Sequence, residues 1–174
     1  HDAPSDLPTT KFPVSILQQS IKVTNEPPRG LSANLERTYL DLEESEYEGC
    51  KQPRAFKKLM YGLAFFHAVI LERRKYGPVG WNIPYGWMTS DLVVSKRQLR
   101  MYLDEQDHIP FETFREIIGE VNYAGRVTDD KDQRVIRAML SVFFSPEILN
   151  DEFRFTDTDV WFAPPEGTLE EAIS

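Results

Sequence analysis

Apolar residues recur along this chain at intervals of three and four, and those intervals mark out a series of helices. Leu31, Leu35, Tyr39 and Leu42 keep the spacing and predict a first helix. Phe56, Leu59, Met60, Leu63, Phe66, His67 and Ile70 predict a longer one over residues 54–76. Its end is marked by Arg73, Arg74 and Lys75, which suit the negative pole of a helix, and by Gly77 and Pro78 beyond them. Thr89 or Ser90 can cap a third helix with Leu92, Leu99, Tyr102 and Leu103 inward. After a break at residues 108–110, Phe111, Phe114, Ile117, Ile118 and Val121 predict a fourth, ended by Ala124 and Gly125. Thr128 or Asp129 caps a fifth, with Val135, Met139, Val142 and Phe143 inward. A short helical turn follows at 145–149.

The remaining stretches are not helical in pattern. Residues 14–24 (VSILQQSIKVT) mix β-branched and polar positions and read as a strand. Pro27 and Pro28 then suit a first helical turn. Residues 43–53 read as an acidic loop, 77–88 as a loop rich in Trp, Tyr, Pro and Gly, and 153–165 as extended. The expected fold is mainly α, a helical bundle with short extended or β segments at both ends. A strand at 14–24 standing alone needs a sheet to pair with, and the first residue is His1, not Met. Both features lead to the expectation that the chain is a piece of a larger body.

Composition narrows the possible partners. The 174 residues carry 41% hydrophobic and 28% charged side chains, an ordinary globular balance. A formal net charge of −8 opposes a general nucleic-acid surface and an anionic membrane surface. The near-apolar run at 63–71 is interrupted by His67 and is too short to span a bilayer. Cys50 is the one cysteine, which excludes an intrachain disulfide and a cysteine metal site and suggests a reducing compartment. Its acidic surroundings would raise a thiol pKa, so it is a poor nucleophile.

No catalytic centre emerges from the residue types. None of the nine glycines forms a phosphate-binding loop. His67 falls on an apolar face, where a hydrogen-bonded core histidine is the expected role, and His108 lies in a loop. No pair of histidines has metal-ligand spacing. Asp129, Asp130 and Asp132 lack the glycine and distal glutamate of a calcium loop and suit the first turn of a helix instead.

Two runs resist periodic explanation: residues 72–85 (ERRKYGPVGWNIPY) and 122–132 (NYAGRVTDDKD). Together with FPVSILQQSIKVTNEPPRGL, FKKLMYGLAFFHAVIL, QLRMYLDE, IPFETFREIIGEV and FSPEIL, they closely resemble the dynein heavy chain family. The resemblance covers roughly residues 12–165, and its wording is similar to axonemal dyneins. It implies the helical lid of the sixth AAA+ module. Residues 1–29 would end the preceding large subdomain, 30–150 would form the lid, and 151–174 would begin the C-terminal region.

The resemblance also implies roles. Arg126, in a Gly-Arg pair at the mouth of a lid helix, resembles the second sensor arginine that reaches from lid to nucleotide in AAA+ ATPases. The sixth dynein module is regarded as not binding nucleotide, so the favoured expectation is structural, with Arg126 paired to Asp129 or Asp130. Trp81, Asn82, Pro84, Tyr85, Gly125, Arg126, Asp129 and Asp130 are the expected structural junction. The aromatic loop (Trp81, Ile83, Tyr85, Trp87) is expected to hold neighbouring ring modules.

By the same resemblance the fragment is non-catalytic, and ATP and Mg belong to other modules of the parent motor. Its partners would be neighbouring AAA+ modules and the C-terminal region of the same heavy chain, with the microtubule reached only through the parent, and its place the axoneme of a cilium or flagellum in the cytoplasmic cytoskeleton. The chain departs from the usual family wording at Ser32, Leu71, Gly86, Trp87, Ala124 and Lys131. Two other readings stand beside it: a free-standing acidic helical adaptor, and an ATPase site completed by Arg126.

Overall fold

The structure, a computed structural model, describes residues 30–157, 161–164 and 166–174. The expected strand at 14–24, Pro27 and Pro28 lie outside the described residues. The described residues form helices and loops with no strand among them.

Helix α1 spans Leu31–Leu40 and buries Asn34, Leu35 and Tyr39. The chain enters it through Gly30, whose φ of 90° lies in the left-handed region that favours glycine. The Gly30 N–H donates to Glu72 Oε1 at 2.8 Å, which fixes the point of entry. The acidic stretch that follows was expected to be loop throughout, yet Glu44–Glu48 forms a short helix, α2. Its frame is local: the Glu46 carboxylate accepts from the Glu43 N–H at 3.2 Å, and acids occupy the positive pole. Tyr47 is buried and anchors it.

Helix α3, Pro53–Arg74, is the centre of the bundle. Pro53 suits the first turn, where its missing N–H costs nothing. Every residue predicted for its inner face is buried, and so are Tyr61, Gly62, Ala64, Phe65 and Ala68 on its other sides. A helix buried all round must be surrounded. Helices α1, α4 (Thr89–Glu105) and α6 (Asp130–Phe143) supply that cover, together with the 3₁₀ turn Pro146–Leu149. Gly62 admits the last of these, because a Cβ there would meet Ile148 Cδ1 at 2.5 Å.

The cap of α4 differs from expectation. Thr89 and Ser90 lie inside the helix, and the carboxylate of Asp91 accepts from the Met88 N–H at 2.8 Å. Helix α5 begins at Phe111–Phe114 and widens into a π-helix over Arg115–Tyr123, then tightens to a 3₁₀ turn at Ala124–Arg126. Val121 was expected inward and is 70% exposed, while Tyr123 is fully buried. The wider π turn returns the inner face after five residues instead of four. Helix α6 is capped by Asp129, as one of the two expected caps, and buries Asp132, Ile136, Leu140 and Phe143. Val142, expected inward, is exposed.

The tail folds back over α3. The Phe155 ring lies 5.4 Å from Tyr61, 5.2 Å from Phe65 and 5.4 Å from Phe143. Trp161 adds a further contact with Phe65 at 5.4 Å. A final short helix, α7 (Leu169–Ile173), packs on α1 and α2. Lys58 is almost wholly buried and its Nζ reaches Asp151 Oδ1 at 2.9 Å, pinning the tail to α3. Asp151→Ala should therefore lower the denaturation midpoint, because it strands a buried ammonium. Lys58→Met, which removes the charge and keeps the stem, should lower it less. Chemical denaturation of both variants checks the order.

Candidate functional site

The two non-periodic runs meet in space. One follows α3 and the other separates α5 from α6, and side chains from each close on backbone of the other.

The loop after α3 turns sharply because of its glycines. Gly77 has φ +55°. At Gly80 a Cβ would stand 1.7 Å from the Arg73 carbonyl oxygen, so no other residue fits that backbone. Arg73 Nη2 donates to the Gly80 carbonyl at 2.9 Å while its guanidinium lies 5.0 Å from the Trp81 ring centre. Arg74 Nη1 donates to the carbonyls of Tyr85 and Trp87. The basic residues that mark the helix end thus also tie the loop to it. Pro84 sits at the centre of a three-residue turn in which the Tyr85 N–H donates to the Ile83 carbonyl at 3.0 Å.

The aromatic side chains point inward. Trp81, Tyr85 and Trp87 are all buried, with ring centres 5.0–6.1 Å apart. Trp81 Nε1–H donates to the Ile70 carbonyl at 3.0 Å and Trp87 Nε1–H to the Tyr123 carbonyl at 3.1 Å. An indole N–H buried without an acceptor is costly, and both have one. The expectation that these rings face neighbouring modules is therefore corrected: only Ile83 of the four is exposed, at 40%.

A buried carboxylate joins the loop to α6. Asp132 is 4% exposed. It accepts from the Asn82 N–H at 3.0 and 3.1 Å and from the Tyr85 hydroxyl at 2.9 Å. Its neighbour Asp129 accepts from Asn82 Nδ2 at 2.9 Å and from the amides of Lys131 and Asp132. These donors, the Asn82 amide foremost, hold the Asp129 carboxyl below its usual range. Burial pushes the Tyr85 phenol up, and its acceptor Asp132 adds to the effect.

Arg126 closes the junction, but not through the partners expected for it. Its guanidinium forks onto Asp91, Nη1 to Oδ2 and Nη2 to Oδ1, both at 2.6 Å. Nη1 also donates to the Gly86 carbonyl at 2.9 Å. Asp129 is occupied by Asn82 and by its own helix, and Asp130 stands exposed in the first turn of α6. The sequence pattern, which offers Thr89 or Ser90 as the cap, assigns Asp91 no role. The signal was an acid three residues into a helix, a place that favours a carboxylate facing back along the chain. Gly125 lies in the 3₁₀ turn without positive φ, so its role there is not conformational.

Behind the fork sits His67, 5% exposed, with Nδ1 3.0 Å from the Tyr123 hydroxyl. Burial pushes its pKa down to about 4, against a smaller upward pull from Asp91. The same burial drives the Tyr123 phenol far above its ordinary range. This is the core histidine the apolar pattern predicts. Cys50 is also buried, and burial, more than the nearby Asp104, raises its thiol. Among the described residues no group of three or more His, Cys, Asp or Glu is placed to hold a metal ion. No described helix is long and apolar enough to cross a membrane.

A family model described as the dynein heavy chain AAA lid domain matches residues 56–174. The chain belongs to this family. The lid is 48% identical over 169 residues to mouse dynein axonemal heavy chain 3, an alignment covering 95% of this chain and 4% of that protein. It is 48% identical over 171 residues to human dynein axonemal heavy chain 12, covering 95% and 6%. Against human dynein axonemal heavy chain 1 it is 45% identical over 171 residues, covering 98% and 4%. The lid thus spans only a few per cent of the length of these relatives. The family match runs across residue 150 without a break, and the described tail packs on the same core. The one group the resemblance offers to a phosphate, Arg126, is engaged by Asp91 and Gly86.

A denaturation series and a pH profile of Tm check this site. Asp132→Asn should destabilise the lid by about 2 kcal/mol, because an amide nitrogen would face the Asn82 or Tyr85 donor, and Tyr85→Phe by about 1 kcal/mol. Gly80→Ala should destabilise more than either, read from the same denaturation series. Finally, the folded lid binds fewer protons at His67 than the unfolded chain does between pH 6.5 and 4. Stability should fall as pH drops through that window, by at most about 3 kcal/mol from this group. His67→Gln should flatten that part of the pH profile of Tm.

Proposed function

We propose that this chain is a non-catalytic lid within an axonemal dynein heavy chain, a structural and allosteric part of an ATP-driven microtubule motor ring in cilia or flagella. The similarity to axonemal heavy chains across 95% of the chain supports the parent and the location. The observation that carries the passive role is the Arg126–Asp91 fork. A sensor arginine must be free to follow a phosphate, and this one is held by a carboxylate that is nearly buried. ATP, Mg and hydrolysis would reside in other modules of the parent.

The junction would serve as a rigid coupler. It joins the end of α3, the start of α4 and the start of α6, so a push on one moves all of them. The partners are neighbouring AAA+ modules and the C-terminal region of the same heavy chain. The loop's outward side chains, Tyr76, Val79, Ile83 and Met88, are the groups available for such contacts. The microtubule is reached only through the parent.

An antibody to this segment, used to size the native polypeptide in extracts of ciliated and unciliated cells, tests the parentage. A giant polypeptide confined to ciliated cells is the expected result. A band near 20 kDa, the mass of this chain, would instead favour a free-standing adaptor. The passive role has its own test in the intact motor. Arg126→Ala and Asp91→Ala should each lower lid stability, and the double variant should cost less than the sum. Nucleotide affinity should stay within about tenfold of the parent in all of them, and a larger loss from Arg126→Ala alone would restore the sensor reading.

A further inference from the structure

We propose that helix α5 is a two-register element. Its π-helical register holds Tyr123 in the core and Val121 in solvent, an α-helical register exchanges them, and the Arg126–Asp91 fork reads which one is present.

Counting along the helix gives the exchange. Phe114 is fully buried and marks the inner direction. At about 100° per residue, an α-helix would place Val121 about 20° from that direction and Tyr123 about 180° from it. A π-helix, with about 4.4 residues per turn, advances about 82° per residue and reverses the outcome. Tyr123 then lies about 20° from the inner direction and Val121 about 150° away, again by that pitch. The structure shows the second arrangement, with Tyr123 0% and Val121 70% exposed. The bond that closes the wide turn runs from the Ala124 N–H to the Gly119 carbonyl.

A π-helix of nine residues is rare and needs support from its surroundings. Here the support is the Tyr123 site. The ring meets Phe66 edge-on at 5.0 Å, the hydroxyl bonds His67, and the Tyr123 carbonyl accepts from Trp87. Asn122 adds bonds to Ser95 and Gln98 on α4. Against this stands an exposed valine that the α register would bury. Gly119 eases the exchange, since its bare Cα faces Leu140 and a Cβ there would come within 2.9 Å of that side chain. The residue released when the helix tightens has one place to go, the 3₁₀ turn Ala124–Arg126. Lengthening that turn moves the Arg126 guanidinium off Asp91. Two packings of one segment that differ by a register step are the kind of bistable element that carries conformational signals. The inference rests on the geometry of this helix and not on the motor assignment.

Amide hydrogen exchange by mass spectrometry, on the 174-residue chain and on the intact heavy chain that carries it, tests the proposal through one exposed position. If α5 only frays, Val121→Leu should slow exchange over residues 115–127 and Val121→Asp should speed it, following helix propensity. The two-register element predicts the opposite order. Leucine gains more by being buried in the α register and should speed exchange several-fold. Aspartate cannot be buried there and should slow it several-fold. Tyr123→Phe, which weakens the π register by removing the His67 bond, should also speed exchange. The propensity order, or no change from either Val121 variant, would overturn the proposal.

Discussion

Everything in this lid is arranged around a helix that has no solvent face to spare. Along most of α3 each side of the cylinder is apolar and covered, so the chain must supply neighbours in every direction. That requirement explains the glycine at position 62, which admits Ile148, and the tail that returns to cover Tyr61 and Phe65. It also explains why most polar groups inside are paired, the Tyr39 hydroxyl and Arg73 Nε being the buried exceptions among the described residues. His67, Lys58 and the two indole N–H groups each find a partner across an element boundary. Each such bond is worth little alone, but an unmade one would be costly at that depth.

The helices were legible because their apolar residues recur with a steady period. The predicted inner faces of α1 and α3 match the buried residues closely. The inner face of α6, a regular helix, lies one residue from the expected one, at Ile136, Leu140 and Phe143 in place of Val135, Met139 and Val142, because two neighbouring apolar stripes compete there. Elsewhere the differences fall where local geometry departs from that period. Val121 was assigned inward by α-helical counting, which has no means of anticipating a wider turn. The acidic residues of Glu44–Glu48 carry little periodic signal, and the helix is held by a carboxylate bonding back to the chain, by the buried Tyr47, and by Lys96 and Arg100 of α4, which bond Glu46 and Gly49 across 50 residues or more.

The junction was legible as a location and not as a wiring diagram. Residues 72–85 and 122–132 were singled out because glycine, proline and tryptophan interrupt the helical pattern there. That these runs touch, and that Asp132 and Asp91 carry the charges that join them, depends on contacts across 35 to 50 residues. No local spacing encodes such pairs. Burial of the tryptophans follows the same logic: a loop rich in aromatic residues can face outward or inward, and only the acceptors at Ile70 and Tyr123 decide between them.

Cys50 has a practical consequence. Its thiol is buried and its pKa is raised by that burial, so little thiolate exists at neutral pH to meet a reagent. It is also the only sulfhydryl in the sequence. A cysteine introduced on the surface would therefore take a maleimide dye almost without background while the lid stays folded. Uptake at Cys50 itself would then act as a built-in report that the protein had opened.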